Sequence, residues 1–397
     1  MKIAVIGGGA SGITAAIYAK RTNCKNDVVV FERSDRILKK VLATGNGRCN
    51  LSNSSISEKN YFSHSPEHLS KILSAFTPTE ERQFFESIGI LFCEENGRIY
   101  PYSRRANSVA DALRFECEHL GIEIRTNSFI EKITKKNGGF TINGEFFDKA
   151  VICGGGFSAP SFGTDANAFW LLKSLGHTIT RYSYALAPVK VKENVKMLKG
   201  IRAHCTITLS RKNEALRSEC GELQFTDYGL SGIAIMQLSR LVNEDDKITI
   251  DLMPDYTSEA LMSLLRERRA VLSHLKTEDF LSGILHKTLA VYILNCCCIS
   301  SSGAGNLTDK DIFLICEKIK SLSFTVLSVL GKEHSQATSG GALLSEFSSS
   351  TLESQICPNL YAAGEVLDCV GDCGGYNLHW AWTTAYIAGK AVAKCLK

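Results

Sequence analysis

Short runs of unbroken apolar residues alternate along this chain with stretches in which apolar residues recur at helical spacing. Ile3-Ala4-Val5-Ile6 has the length and apolarity of a strand buried on both faces. Gly7, Gly9 and Gly12 follow at G-x-G-x-x-G spacing, Ile13 to Lys20 reads as a helix, and Val28 to Phe31 reads as a second buried strand ending on Glu32. Strand, glycine turn, helix, strand and acid in that order predict a dinucleotide site. Gly7 permits the turn, Gly9 lets a pyrophosphate approach the backbone at the helix N-terminus, Gly12 lets helix and strand pack closely, and Glu32 is placed to accept from a ribose diol.

The pattern changes several times further on. Thr44 to Asn53 is polar and glycine-rich around Arg48, a composition suited to a ligand loop or to an ordinary surface loop. Residues 61 to 120 read as helix-rich, with a hairpin over Leu91 to Pro101 turning at Asn96-Gly97 and a helix from Ser108 to Leu120 ended by Gly121. Ile122 to Arg125 reads as another parallel strand. Phe129 to Ile133 and Gly139 to Ile142, followed by Asn143-Gly144, suggest a small antiparallel element. Ala150 to Cys153 reads as a buried strand running into Gly154, Gly155 and Gly156. Pro160 and Gly163 deny that turn the long helix of a second dinucleotide motif, so its glycines are expected to close over the same cofactor.

From about Tyr184 the periodicity becomes strand-like, with alternation over Val189 to Ser210. Gly221 to Gly232 reads as turn-rich and leads into an apolar helix near Ile233 to Leu241. Helices are expected from Thr257 to about His274, from Leu281 to Ile299 and from Thr308 to Leu322, and strand character returns over Phe324 to Leu330. The chain therefore divides into residues 1–187 and 337–397 flanking a β-rich insert (188–256 and 323–336) and a helical insert (257–322). Leu360 to Ala363 is a further buried strand, running into Gly364-Glu365. Gly374-Gly375-Tyr376-Asn377 then opens a last helix, Leu378 to Lys394, whose Ala381, Ala385, Ala388 and Gly389 permit close packing.

Composition changes this picture little. The chain has 397 residues, 44% hydrophobic and 22% charged, with a net charge of +4, which does not by itself imply nucleic acid. No apolar stretch approaches the roughly 20 residues of a membrane span, and the chain starts on a strand, so a cytoplasmic protein is expected. Fifteen scattered cysteines without a CxxC pair point to reduced thiols, neither a disulfide framework nor a metal site. Cys296-Cys297-Cys298 lies in an apolar run and reads as core packing. Cys49 has no cysteine at C-x4-C spacing, which removes the redox pair of flavin disulfide reductases.

Taken together, GGGASGITAA, TGNGRCNLSN, GRIYP, GELQFTDYGLSG, ATSGGALLSEF, LYAAGEVLD and GGYNLHWAW resemble a bacterial three-domain flavoprotein family described as BaiN-like or aminoacetone-oxidase-like. The resemblance runs nearly the full length. It implies an α/β fold: a discontinuous FAD-binding Rossmann domain of glutathione-reductase type, interrupted by a β-barrel-like piece and a helical piece. By the family pattern, FAD lies against Gly7, Gly9 and Gly12 with Ala10 and Ser11, and against Glu32 with Arg33 and Lys39. The polar loop adds Gly45, Asn46, Gly47, Arg48, Cys49 and Asn50. Ile130, Gly154 and Gly155 follow, and the C-terminal segment adds Gly364, Glu365, Asp368, Gly374, Gly375, Tyr376 and Asn377. Ala234 stands where the family usually has proline, and His379 where glutamine is frequent.

The resemblance implies an FAD enzyme with one of two activities, of which the first is the expected one and the second the alternative. One is NAD(P)H-driven reduction of a C=C bond conjugated to a carbonyl, in steroid-like enones or in ribosomal RNA uridine going to dihydrouridine. The other is oxidation of a small amine by oxygen. Conjugate reduction needs a proton donor, and Cys373, Tyr376 and His379 beside the flavin turn are the candidates, Cys373 being equally able only to pack and Tyr376 only to pin the loop. No second Rossmann domain is visible, so NADH or NADPH is expected to dock transiently. A third possibility is an RNA-binding protein with structural FAD. Eight Lys/Arg against two Asp/Glu between Lys190 and Arg217 favour it, whereas 19 basic and 17 acidic residues over Lys190 to Lys332 argue for a solvated sheet face. Lys196, Lys199, Arg211 and Lys212 are the cations that reading would use.

Overall fold

The apolar runs assemble into a five-stranded parallel sheet. Strand β1 (Lys2–Ile6) is central, with β2 (Asp27–Phe31) on one side and Lys149–Ile152 on the other. Glu123–Arg125 and Leu360–Ala362 form the two edges. Ile3, Val5, Val30 and Val151 are fully buried, which explains runs without polar alternation: both faces of a parallel sheet are covered. The computed structural model describes residues 1–331 and 333–394. They fall into two compact units, one of residues 1–185 with 335 onward, the other of Leu186–His334.

In the first unit, helix α1 (Ala10–Thr22) follows β1 and packs along the C-terminal helix Tyr376–Val392. The contact depends on Gly389, where a methyl would lie 2.5 Å from the Ala15 carbonyl oxygen. Tyr18 meets Tyr386 edge-on at 4.8 Å. Near the start of the pair, Trp380 Nε1 donates to the Gly364 carbonyl at 3.2 Å, and beyond its end Asn26 Nδ2 donates to the Ala393 carbonyl at 3.1 Å. The two helices therefore start at the same end, where β1 and Leu360–Ala362 also end. Strands Ile133–Lys136, Gly139–Ile142 and Glu145–Phe147 form the antiparallel element, and Phe92–Glu95 pairs with Arg98–Pro101. The turns Asn96-Gly97, Asn137-Gly138 and Asn143-Gly144 all have positive φ at both residues, which is what makes Asn-Gly a hairpin signal.

The second unit is a closed antiparallel barrel. Its strands run Val189–Val191, Gly229–Ser231, Glu214–Phe225, Arg202–Arg211, Lys247–Asp251 and Leu322–Val329, and the last pairs with the first. Cys205, Ile207 and Leu209 point inward at every second position, beside Leu223, Phe225, Ile248 and Phe324. Helices Ser258–Val271, Lys287–Cys296 and Asp309–Lys320 lie between the fifth and sixth barrel strands in sequence. Thr308 caps the last helix reciprocally: its hydroxyl accepts from Asp311 N at 3.2 Å while the Asp311 carboxylate accepts from Thr308 N at 2.8 Å. Thr308→Ala is expected to cost about 1 kcal/mol, read as a lower thermal midpoint, and an unchanged midpoint would deny the cap its role.

Three expectations need correction. Gly221 to Phe225 is not part of a turn but the end of a twelve-residue strand, because ten register pairs with Arg202–Arg211 override the weak strand propensity of glycine. The helix expected from Leu281 begins only at Lys287, after turns that include Gly283 at φ +82°. Cys296 and Cys298 are exposed and Cys297 is half-buried where that helix ends, so the cysteine triple is not core. Among the described residues no group of three or more His, Cys, Asp or Glu could hold a metal ion, and no helix is long and apolar enough to cross a membrane.

Candidate active site

The glycine turn after β1 is closed on three sides and open on one. Gly7 has φ +109°, and a methyl there would lie 2.4 Å from the Cys153 carbonyl oxygen. One at Gly12 would lie 1.8 Å from the Gly7 carbonyl oxygen, and one at Gly364 2.4 Å from Ser11 Oγ. Gly9 is the exception: a methyl there would meet nothing within 4 Å. Gly9 is also the N-cap of α1, which has no side-chain cap and no acid in its first turn. Free amides, the positive end of a 13-residue helix and open space fit a pyrophosphate. The Glu32 carboxylate lies at the rim of this turn, accepting from Gly8 N at 2.8 Å and Ser34 N at 2.7 Å.

A second glycine turn is built against the polar loop. A methyl on Gly375 would lie 2.2 Å from the Ser52 carbonyl oxygen, and Asn53 Nδ2 donates to the Gly374 carbonyl at 3.0 Å. The polar loop is left-handed at Gly45, Asn46, Gly47 and Cys49, conformations that glycine and asparagine adopt at least cost. Asn377 pins the second turn with its own side chain, Nδ2 donating to the Gly371 carbonyl and Oδ1 accepting from Gly371 N, each at 2.9 Å. The helix that starts here spans 17 residues and also lacks a side-chain cap and an acid in its first turn. Two long helices thus present uncapped positive ends, which suits the pyrophosphate and the electron-poor ring of FAD.

The remaining candidates are placed as follows. Glu365 bridges Lys40 Nζ at 2.6 Å and Thr338 N at 2.8 Å. Arg48 stacks on Tyr100 at 4.7 Å and pairs with Glu95 at 3.3 Å. Arg33 pairs with Asp165 at 2.5 Å and Lys39 with Asp35 at 2.6 Å, so both turn toward acids of their own neighbourhood. The Ile130 side chain is buried, and its carbonyl accepts from Asn167 Nδ2 at 2.9 Å. Methyls on Gly154 and Gly155 would meet Ala168 and Thr164, both at 2.9 Å, so these glycines close on protein. Asp368 is fully buried and accepts from the backbone and ring of His64.

The three proton-donor candidates separate. Burial raises the Cys373 thiol and the Tyr376 phenol above their ordinary values, so both hold their protons at neutral pH. Arg98 lies against the glycine turn between them, its Nε 3.5 Å from where a methyl on Gly374 would be. His379 is different: it is fully buried, with Nδ1 at 2.5 Å from Glu81 Oε2 and 3.2 Å from Ser52 Oγ, and Nε2 at 3.3 Å from Thr383 Oγ1. Both ring nitrogens are taken by protein, which fits a buried structural pair. Sequence reasoning missed Glu81, His64 and Lys40, which no local spacing links to their partners, and Arg98, which lies inside the GRIYP motif.

Cys49 is fully buried, and burial pushes its thiol from the ordinary 9.0 up to about 12, as it does for Cys153. That leaves about a thousandth as much reactive thiolate at neutral pH. Brief alkylation of the native protein is therefore expected to label the exposed Cys24, Cys220, Cys296 and Cys298 and to spare Cys49 and Cys153. Mass mapping of the adducts tests this, and early labelling of Cys49 would contradict its placement.

Comparison with known proteins places the fold in a family setting. A family model described as HI0933-like protein Rossmann domain matches residues 1–391. A 3-dehydro-bile acid delta(4,6)-reductase of Clostridium scindens is 33% identical, with 99% of each chain covered. A ribosomal RNA dihydrouridine synthase of Escherichia coli is 27% identical over 96% of this chain and 95% of that one. Among solved structures, a 3-ketosteroid delta1-dehydrogenase of Sterolibacterium denitrificans has the same fold at a TM-score of 0.51 and 13% identity, over 98% of this chain and 99% of that one.

Proposed function

The chain belongs to the HI0933-like Rossmann family, the flavoprotein family its motifs resemble, and on that premise we propose that it reduces a carbon–carbon double bond conjugated to a carbonyl, with NADH or NADPH as reductant. It is an FAD-dependent oxidoreductase. The observation that carries the finer reading is chemical. A delta(4,6)-reductase of 3-dehydro-bile acids and a dihydrouridine synthase, so different in substrate size, both name reduction of an alkene joined to a carbonyl.

When bound, FAD supplies the hydride chemistry. The chain's own residues supply placement. The uncapped start of α1 with Gly9 would hold the pyrophosphate, and Glu32 would turn from Gly8 N toward the ribose. Glu365, fixed by Lys40, would face the sugar-alcohol chain, and the amides from Gly375 onward would stabilise negative charge on the ring by about 0.3–1 kcal/mol or more.

A steroid-like enone is the first substrate to test because the bile-acid reductase is the more similar of these relatives. The protein, incubated anaerobically with NADPH or NADH and a 3-oxo-4-ene steroid, is expected to give a product heavier by two hydrogens. No saturated product, together with hydrogen peroxide from an amine under air, would replace this reading by the oxidase. Uridine of ribosomal RNA is the second substrate, favoured by the dihydrouridine synthases. The barrel's cations bear on it: Lys199 pairs with Asp227 at 2.7 Å and Arg202 with Glu222 at 3.0 Å, while Arg211 holds the buried Asp246 at 2.9 Å. Neutralising Arg211 would unpair a buried carboxylate, so Lys196→Ala with Lys212→Ala is the better probe of RNA retention. RNA retention with no turnover of either substrate would favour structural FAD.

A further inference from the structure

His64 is held by a buried carboxylate in a way the fold alone does not require. Asp368 is fully buried, and its Oδ2 accepts from His64 N at 3.0 Å and from His64 Nδ1 at 2.9 Å, with Oδ1 3.2 Å from the same ring nitrogen. The imidazole itself is 47% exposed. Desolvating a carboxylate costs several kcal/mol unless its partners compensate, and the backbone amide and ring of His64 are two such partners. The second contact sets the ring. With Nδ1–H donating to Asp368, Nε2 is turned outward, the orientation that an aspartate imposes on histidines that move protons.

The position is equally specific. His64 follows strand Tyr61–Phe62, which pairs antiparallel with Val370–Gly371, and Tyr61 Oη donates to the Tyr376 carbonyl at 3.0 Å. The segment that holds His64 therefore lies along Asp368 to Tyr376, which in sequence follows Gly364-Glu365 and reaches the Gly374–Asn377 turn, the two stretches proposed to contact FAD. Phe62, itself 38% exposed, meets the imidazole edge-on at 5.6 Å. An apolar ring beside an outward Nε2 suits an apolar substrate that must receive one proton.

We propose that His64 is the proton donor of the conjugate reduction, with Asp368 as its positioning residue. This rests on the enone reading above. The protonated ring gives up its Nε2–H bond and a C–H bond forms at the carbon next to the carbonyl. The carbon one further along would receive the hydride that reduced FAD supplies when bound, which accounts for the two electrons the alkene gains. The neutral imidazole regains its proton from water.

The test separates the two claims. Holoprotein is reduced with dithionite, freed of excess reductant, and mixed anaerobically with a 3-oxo-4-ene steroid while flavin reoxidation is followed. In His64→Gln, flavin content and reducibility by dithionite are expected to match the parent chain, with reoxidation by the enone slowed by about 100-fold or more. The second readout is independent of turnover: nitrogen-15 spectra of the free holoprotein are expected to show neutral His64 protonated on Nδ1, and Asp368→Asn to weaken that preference. Reoxidation of His64→Gln within twofold of the parent, or a neutral ring protonated on Nε2, overturns the assignment while the enone reading stands. A parent chain whose flavin no enone reoxidises overturns both.

Discussion

Gly12→Val is expected to yield protein that purifies largely without flavin, with FAD affinity weaker by roughly 100-fold, equivalent to about 3 kcal/mol. The atom it would strike is not a side chain that can rotate away. It is the Gly7 carbonyl oxygen, 1.8 Å from the new methyl, in a turn already fixed by the Cys153 carbonyl behind it. The helix must back off from β1, which disturbs the amides of its first turn and its contact with the C-terminal helix, so the thermal midpoint of the apoprotein should fall too. Gly9→Val is the informative control. A side chain begins there in open space, so the apoprotein should melt close to the parent while FAD is still excluded. If Gly9→Val binds FAD normally, the pyrophosphate does not lie over that turn.

The second large effect belongs to the pair Glu81–His379. Glu81→Ala is expected to destabilise the first unit by about 3–5 kcal/mol, because it leaves a fully buried imidazole without its carboxylate. Glu81 already has one oxygen, Oε1, without a partner among the described residues, so the pair is an incompletely satisfied buried polar site. Replacing both partners by apolar residues, Glu81→Met with His379→Leu, should therefore recover most of the loss. Thermal melts of the three proteins decide this. A single mutant within about 1 kcal/mol of the parent would show that the pair contributes little. His379→Gln is expected to keep turnover, which separates a structural histidine from a proton donor.

Local signals carried a large part of the fold. The four-residue apolar runs at Ile3, Val28, Ala150 and Leu360 are strands of the parallel sheet because each had to be buried on both faces, and Asn96-Gly97 and Asn143-Gly144 marked turns because both residues of each pair have positive φ. Thr257 and Thr308 marked helix starts through their caps. What local pattern could not show was pairing at long range. Tyr61–Phe62 is a strand only because Val370–Gly371 lies beside it, and the strand through Gly221 exists only through its partner Arg202–Arg211. The site divides in the same way. The glycine turns were legible because a methyl at each position has a definite obstacle, or at Gly9 none. The partners of the charged residues were not: Lys40 with Glu365, His64 with Asp368 and Glu81 with His379 are separated by 325, 304 and 298 positions.

Reduction of the flavin by a nicotinamide is the step on which the proposed reaction depends, and an anaerobic absorbance titration measures it. Purified holoprotein is titrated with NADH and, separately, NADPH while the visible flavin band is followed. Rapid bleaching by one of them, reversed by adding a 3-oxo-4-ene steroid, is the predicted result. A band that neither nucleotide bleaches, although dithionite does, would contradict an NAD(P)H-driven reductase and leave amine oxidation as the reaction to pursue.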